Sequence, residues 1–186
     1  MISKNIKIQF FIISLIVICI TACTNKQSEV PTALPDTKFA INYLKGLEGK
    51  WVVQGDKEGV FGWEFDVTSR GRVIVERLKV GTPTEMTTVY HLDNGVLIGN
   101  HYCQLQNQPH LTAITSETEG DFHFLCNGKV GNTQSHDELH MHGVHFQKKD
   151  KSLLIWMDMF KNGKLDFETR YELFRVDSMR TQEVTR

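Results

Sequence analysis

An Asn-Gly pair between two alternating runs is the feature that most constrains how this chain can fold. Asn94 and Gly95 lie within the stretch from Glu85 to Pro109, and apolar and polar residues alternate on both sides of the pair. Asn-Gly supplies the two residues with positive φ that a type I′ turn needs, so the stretch predicts a β-hairpin. A two-residue loop then sets the cross-strand pairs: Leu92 with Leu97, Tyr90 with Gly99, Thr88 with His101, and Met86 with Cys103.

This register sorts the side chains of the hairpin onto two faces, because successive strand residues point to opposite sides. Tyr90, His101 and Cys103 share the more apolar face, which we expect to point inward. His91 and Tyr102 share the other face. A single site that uses both His91 and His101 is therefore excluded if the two-residue turn holds.

The rest of the chain adds short strands and almost no helix. A segment from Lys38 to Leu47 predicts one amphipathic helix, and about ten alternating segments joined by tight turns account for most of the chain after it. The last segment, Leu165 to Val176, predicts a strand with one buried and one solvent-exposed face. The pattern predicts an all-β fold, an antiparallel up-and-down β-barrel of about eight to ten strands with a short N-terminal helix. A two-sheet sandwich, the alternative, would need longer crossover connections.

The N-terminal segment, residues 1–22, predicts export. Lys4 and Lys7 give it a basic start, and the apolar run from Phe10 to Ile20 is too short to span a bilayer as a helix. The Ile-Thr-Ala-Cys ending resembles the bacterial lipobox, whose cysteine is diacylated and becomes the first residue after cleavage. By that resemblance Cys23 anchors the protein to the membrane on the extracytoplasmic, periplasmic side of a bacterial cell envelope. An ordinary secretory signal with a chance cysteine is the alternative.

Composition divides the remaining chain into three parts. Residues 23–37 are polar and contain two prolines, which predicts a flexible tether. Residues 38–176 predict the barrel domain, and residues 177–186 a polar C-terminal tail. The formal net charge is −1, and Lys and Arg do not cluster among aromatic residues, so we expect no nucleic-acid partner.

Two motifs resemble known barrels. Leu47-Glu48-Gly49-Lys50-Trp51 resembles the Gly-x-Trp start of lipocalin-like barrels, in which the Trp closes one end against the last strand. GTPTEMTTVYHLDNGVLIGNHYCQLQNQP, together with Leu139-His140-Met141-His142, is similar to a family of bacterial proteins, many secreted or uncharacterised, with a lipocalin-like or fatty-acid-binding-protein-like barrel. The resemblance extends from about Leu47 to Arg175. It implies a fold and no particular chemistry.

Histidines cluster in one part of the sequence. All eight lie between His91 and His145, and His140 and His142 would project from one strand face at the spacing by which His-x-His binds a metal. A third ligand would come from His91, or from His101 with Cys103. Imidazoles suit zinc, copper, iron or nickel, and haem through His101, His142 or Tyr90 is a narrower version. Structural or solvent-facing histidines are the more common alternative.

A set of inward candidates predicts a ligand pocket. Glu76 shares its parity with Ile74 and Leu78, so it either orients a ligand or lies at the barrel rim paired with Arg72 or Arg77, and we favour the rim. The methionines predict core filling first and a pocket second. After processing and anchoring, Cys103 and Cys126 are the remaining thiols, and both a disulfide and two free thiols are open. The predicted ligand-binding residues are Trp63, Glu76, Tyr90, His101, Cys103 and Trp156.

These patterns favour a membrane-anchored barrel that binds a small, mostly apolar molecule and that touches the bilayer through acylated Cys23. A metal- or haem-binding protein that uses His140 and His142, and that acts as an enzyme in one version, is the second hypothesis. A structural envelope protein that binds another protein is the third. No Gly-rich phosphate loop and no Gly-x-Ser-x-Gly elbow is present.

Overall fold

The computed structural model describes residues 37–53, 62–115 and 121–176. Helix α1 is Thr37–Lys45, and a short 3-10 turn covers Ser69–Gly71. Ten strands make up most of the rest: β1 Gly49–Val53, β2 Gly62–Thr68, β3 Val73–Leu78, β4 Met86–Asp93, β5 Val96–Tyr102, β6 Gln108–Thr115, β7 Asp121–Gly131, β8 His140–Lys148, β9 Ser152–Lys161 and β10 Lys164–Arg175. The predicted signal segment, Cys23, the tether up to residue 36, the turn around Glu119 and Gly120 and the C-terminal tail lie outside the described residues. Thr37, the last residue of the predicted tether, begins α1.

The strands form one closed antiparallel barrel. Each strand pairs with the next along the chain, and β1 closes the barrel by pairing with β10. Closure removes the exposed strand edges that an open sheet would present. The predicted all-β, up-and-down barrel with a short helix is confirmed, with ten strands.

The opening hairpin has the predicted register. Asn94 and Gly95 have φ of 48° and 83°, as a type I′ turn requires. Tyr90 lies opposite Gly99, and Thr88 lies opposite His101. Side chains of Tyr90 and His101 are buried, so the face that carries them points into the barrel.

Helix α1 covers one end of the barrel. Ala40, Ile41 and Leu44 are its buried residues, and the Thr37 hydroxyl donates a hydrogen bond to the Gly95 carbonyl at the β4–β5 turn, 2.7 Å away. Burying this apolar face against the barrel stabilises a helix too short to persist alone. The helix therefore closes the end at which the β4–β5 turn lies.

The interior next to α1 is filled by aromatic rings. Phe124 lies 4.8 Å from Tyr90 and 5.0 Å from Phe122 between ring centroids, and Phe65 packs edge-on against Phe146. All five side chains are almost completely buried. Tilted and edge-to-face contacts of this kind add to the hydrophobic stabilisation of a core.

Three details differ from the sequence-based expectations. β7 continues to Gly131, although the sequence predicts a loop from Gly128 onward. The sequence also predicts a polar loop through Pro109, yet β6 begins at Gln108. In β10, Leu165 and Phe167 are 53% and 43% exposed, so the apolar face is not buried at that end. Alternation predicts which face a residue occupies, but not where the barrel ends.

Candidate functional site

Glu76 is the centre of a buried polar network. Its side chain is 2% exposed, and it accepts two hydrogen bonds, from the Trp63 indole N–H at 2.7 Å and from the Tyr90 hydroxyl at 2.6 Å. The expected rim position is wrong. Arg77 instead pairs with Glu64 at 2.8 Å and with Asp66 at 2.5 Å, because it has the opposite parity and points away from the interior.

Burial controls the protonation of this network. Burial raises the pKa of the Glu76 carboxyl above its usual value, although hydrogen bonds from Tyr90, Trp63 and Thr88 act in the other direction. Burial, followed by the adjacent Glu76 carboxyl, raises the pKa of the Tyr90 hydroxyl well above its usual value. Tyr90 therefore stays a hydrogen-bond donor at physiological pH.

Cross-strand pairing extends this network to His101. Glu76 on β3 lies opposite Thr88 on β4, and Thr88 lies opposite His101 on β5. The Thr88 Oγ1 and His101 Nδ1 atoms are hydrogen-bonded at 2.9 Å. Burial lowers the pKa of His101 to about 4, so its imidazole is neutral at physiological pH.

His101 also lines a cavity in the barrel, with a volume of about 160 Å³. All four methionines within the described residues line this cavity. Their unbranched side chains are adaptable and polarisable, and they suit a pocket that fits itself around an apolar ligand. The lining residues are Lys79, Met86, His101, Cys103, Gln104, Leu105, Leu139, Met141, Met157, Met159, Phe167, Thr169 and Tyr171.

The cavity lies toward the end of the barrel opposite α1. Met86 and Cys103 are at the ends of the hairpin arms away from the Gly95 turn, which Thr37 contacts. Leu105 and Phe167 line the cavity and are 41% and 43% exposed. These side chains give the cavity an apolar mouth.

The six predicted ligand-binding residues fall into three groups. His101 and Cys103 line the cavity. Trp63, Glu76 and Tyr90 form the network behind it, and Trp63 reaches the cavity wall through an edge contact with Tyr171, 5.4 Å between centroids. Trp156 is alone in the third group, because it contacts neither the cavity nor the network.

Trp156 lies on the other face of its strand. Its ring stacks on His145, with centroids 4.6 Å apart and planes 3° from parallel, and the Arg170 guanidinium lies 5.2 Å from its centroid. These cross-strand partners hold Trp156 on the outside of the barrel.

The metal-ligand candidates assemble differently from the prediction. His140 and His142 do come together, but the third donor is Cys126, and the three potential ligand atoms lie within 4.8 Å of one another. His136 adds a fourth donor, with its Nε2 4.0 Å from the Cys126 Sγ. His91 and His101 are not part of this cluster, and Cys103 lies elsewhere, 3.9 Å from the Met86 sulfur. Cys103 and Cys126 are both free thiols.

Sequence reasoning missed Cys126 and His136 as partners of His140 and His142. Leu125 lies opposite Gly143 on β8, and the register shifts between Met141 and Gly143, which places His142 in a β-bulge next to the level of Cys126. The signal in the sequence was Gly143, the residue type that tolerates a bulge.

Comparison with known proteins does not identify a family for this chain. No protein-family model matches it, and no curated protein matches it at a significant level. The resemblance to lipocalin-like bacterial barrels therefore stays a prediction. Among the helices of the described ranges, none has the length and apolar character needed to cross a membrane.

Proposed function

We propose that this protein is a lipid-anchored, extracytoplasmic β-barrel of a bacterial envelope that binds one small, mostly apolar molecule in its cavity. The observation that carries the proposal is the gathering of Met86, Met141, Met157 and Met159 around one cavity. Isolated core methionines fill gaps in many proteins. Four from three strands that leave a cavity between them favour a ligand instead of a packed core.

The cavity's size and lining define the ligand class. A volume of about 160 Å³ is close to that of the dry engineered cavity, about 150 Å³, that binds benzene. A ring or short chain of roughly that size fits, whereas a macrocycle such as haem is several times larger. The neutral His101 supplies one polar contact, and Lys79 is the one charged side chain among the described lining residues.

The barrel's two ends have different roles in this proposal. The predicted tether enters the domain at Thr37, which contacts the β4–β5 turn, whereas the cavity lies toward the opposite end. Fully extended, the residues between Cys23 and Thr37 reach on the order of 45 Å. The tether then holds the domain near the membrane. It is long enough for the cavity mouth to face either the aqueous side or the bilayer.

Mass spectrometry tests both the lipid anchor and the bound ligand. The full-length protein is expressed in bacteria and gently extracted from the envelope. The denatured mass is expected to match a chain that begins at Cys23 and carries acyl groups. The native mass is expected to add one small apolar molecule that denaturation releases. A mature chain without acyl groups removes the anchor, and an empty cavity in every gentle extraction removes the ligand.

A further inference from the structure

We infer that Cys126, His136, His140 and His142 form a binding site for one Zn²⁺ ion beside strands β7 and β8. This site is distinct from the ligand cavity of the proposed function. Three of its residues lie on β7 and β8, and His136 lies in the segment between these strands. One thiolate and three imidazoles are donors that zinc prefers, in a set of four.

Two imidazole nitrogens of the cluster are buried without a hydrogen-bond partner. His140 is 1% exposed, and its Nε2 is buried without a hydrogen bond, as is the Nδ1 of His142. A buried polar atom without a partner is destabilising. Two such atoms on neighbouring imidazoles, in a cluster that also holds a thiol, are the arrangement expected of a metal site.

A backbone contact sets the tautomer of His140. Its Nδ1 lies 2.8 Å from the Glu138 carbonyl oxygen, which can only accept a hydrogen bond, so Nδ1 carries the proton. The lone pair of His140 is then on Nε2, the unpartnered atom. Metal-ligating histidines are oriented by the same kind of contact from the second ring nitrogen.

Packing holds the other rings near the cluster. His142 stacks on Phe160, with centroids 3.9 Å apart and planes 14° from parallel. The His136 and His140 rings meet at 4.5 Å, and those of His140 and His142 at 5.7 Å. The rings are therefore already close enough to share one ion.

Small side-chain movements complete the coordination. Tetrahedral zinc, with bonds of about 2.0 Å to nitrogen and about 2.3 Å to sulfur, places donor atoms roughly 3.3–3.6 Å apart. The donor atoms of Cys126, His140 and His142 now lie up to 4.8 Å apart, and the His136 Nε2 lies 4.0 Å from the Cys126 Sγ, so binding requires movements on the order of 1 Å. The Cys126 thiol now makes long contacts, 3.6 Å to the Lys129 carbonyl oxygen and 4.0 Å to the His136 Nε2.

Zinc binding requires neutral imidazoles and a deprotonated thiol. Burial lowers the pKa of both His140 and His142, which keeps them neutral as a metal requires. Burial raises the pKa of the Cys126 thiol. Zinc binding would therefore form a Zn–S bond and release one proton to solvent, with no change in oxidation state.

The ion would also fix one wall of the cavity. His136 lies on the segment between β7 and β8, and Leu139, the last residue before β8, lines the cavity. Zinc bound to His136 and His140 would tie this segment to the barrel and hold Leu139 in place. We expect zinc to raise the melting temperature of the protein.

Cobalt titration of an untagged, chelator-treated chain of residues 23–186 with Cys23→Ser tests the site, because Cys103 and Cys126 are then its two thiols. Co²⁺ bound to a thiolate gives a charge-transfer band in the near ultraviolet, and Zn²⁺ should displace it at one equivalent. The band should be lost in Cys126→Ser and retained in Cys103→Ser. Co²⁺ without a saturable band, or a band lost only in Cys103→Ser, overturns the site.

Histidine variants supply a second readout that does not depend on the thiol. His140→Gln and His142→Gln should each weaken Zn²⁺ binding by at least about 100-fold, beyond the loss that outer partners of a metal site typically cause. His91→Gln, outside the cluster, is the matched control, and circular dichroism verifies that each variant is folded. Equal zinc affinity in His140→Gln and His91→Gln contradicts the site. Ligand titration at the cavity methionines tests the proposed function separately.

Discussion

Gly99 lies directly under the ring of Tyr90, and a Cβ added to Gly99 would lie 2.9 Å from two of the ring's carbon atoms. The two residues face each other across the β4–β5 hairpin. The absence of a side chain at Gly99 leaves room for the ring, and the Tyr90 hydroxyl reaches Glu76 from that position. Gly99 is thus required for space and not for its backbone conformation.

Gly99→Ala should destabilise the protein by about 1–3 kcal/mol, the usual cost of overpacking a core. The new methyl group displaces Tyr90, because the ring is also confined by Phe124 and Phe146. Denaturant unfolding measures the loss. In a Tyr90→Leu background the same alanine should cost much less, and an equal cost in both backgrounds would show that the ring is not the cause.

Glu76→Gln should change how stability depends on pH. The folded-state pKa of Glu76 is raised, so the favourable contribution of this group is fully present below its unfolded pKa, about 4.3. That contribution is lost as pH rises through the folded-state pKa, because the unfolded chain then holds fewer protons. Glutamine does not titrate.

Unfolding free energies measured from pH 4 to pH 8 test this expectation. The stability of the wild type relative to Glu76→Gln should fall as pH rises over that interval. A difference that stays constant with pH would mean that Glu76 has the same pKa in the folded and unfolded states.

His101→Gln should have the opposite pH signature. The pKa of His101 is about 4 in the folded state and about 6.5 in the unfolded state. The stabilising contribution is therefore complete above about pH 6.5 and is lost as pH falls toward 4, by about 3 kcal/mol in total. Glutamine keeps a hydrogen-bonding partner for Thr88 and removes the titration.

The matched control is His91→Gln on the outer face of the same hairpin. Relative to the wild type, His101→Gln should retain more stability at pH 4.5 than at pH 7, as measured by thermal unfolding. Identical pH profiles for the two glutamine variants would contradict the assignment of this pH dependence to His101.

Local sequence rules were sufficient for the strands and for the faces of the hairpin. The Asn94-Gly95 turn fixes one register, and alternation then placed Tyr90 and His101 inside correctly. Glu76 was assigned the right parity and the wrong surroundings. Its burial depends on Trp63 and Tyr90, which lie on two other strands, and no local pattern reveals that both donate to one carboxyl group.

For a related reason, the sequence indicated only two of the four residues of the proposed zinc site. His140 and His142 are two residues apart, so their proximity follows from strand geometry. Cys126 and His136 join them through the pairing of β7 with β8 and through the bulge before Gly143. Cavity size is likewise not encoded locally, because the same methionines fill a core or surround a space according to how the strands pack.

The most direct measurement of ligand binding uses methionine methyl NMR with benzene as the probe. Met86, Met141, Met157 and Met159 all line the cavity, so benzene should shift their signals in a saturable way. Thr169→Phe, a bulkier side chain in the half-buried wall, should weaken or abolish these shifts while the protein stays folded. Shifts that do not saturate, or that are the same in the wild type and Thr169→Phe, would contradict a ligand-binding cavity in this barrel.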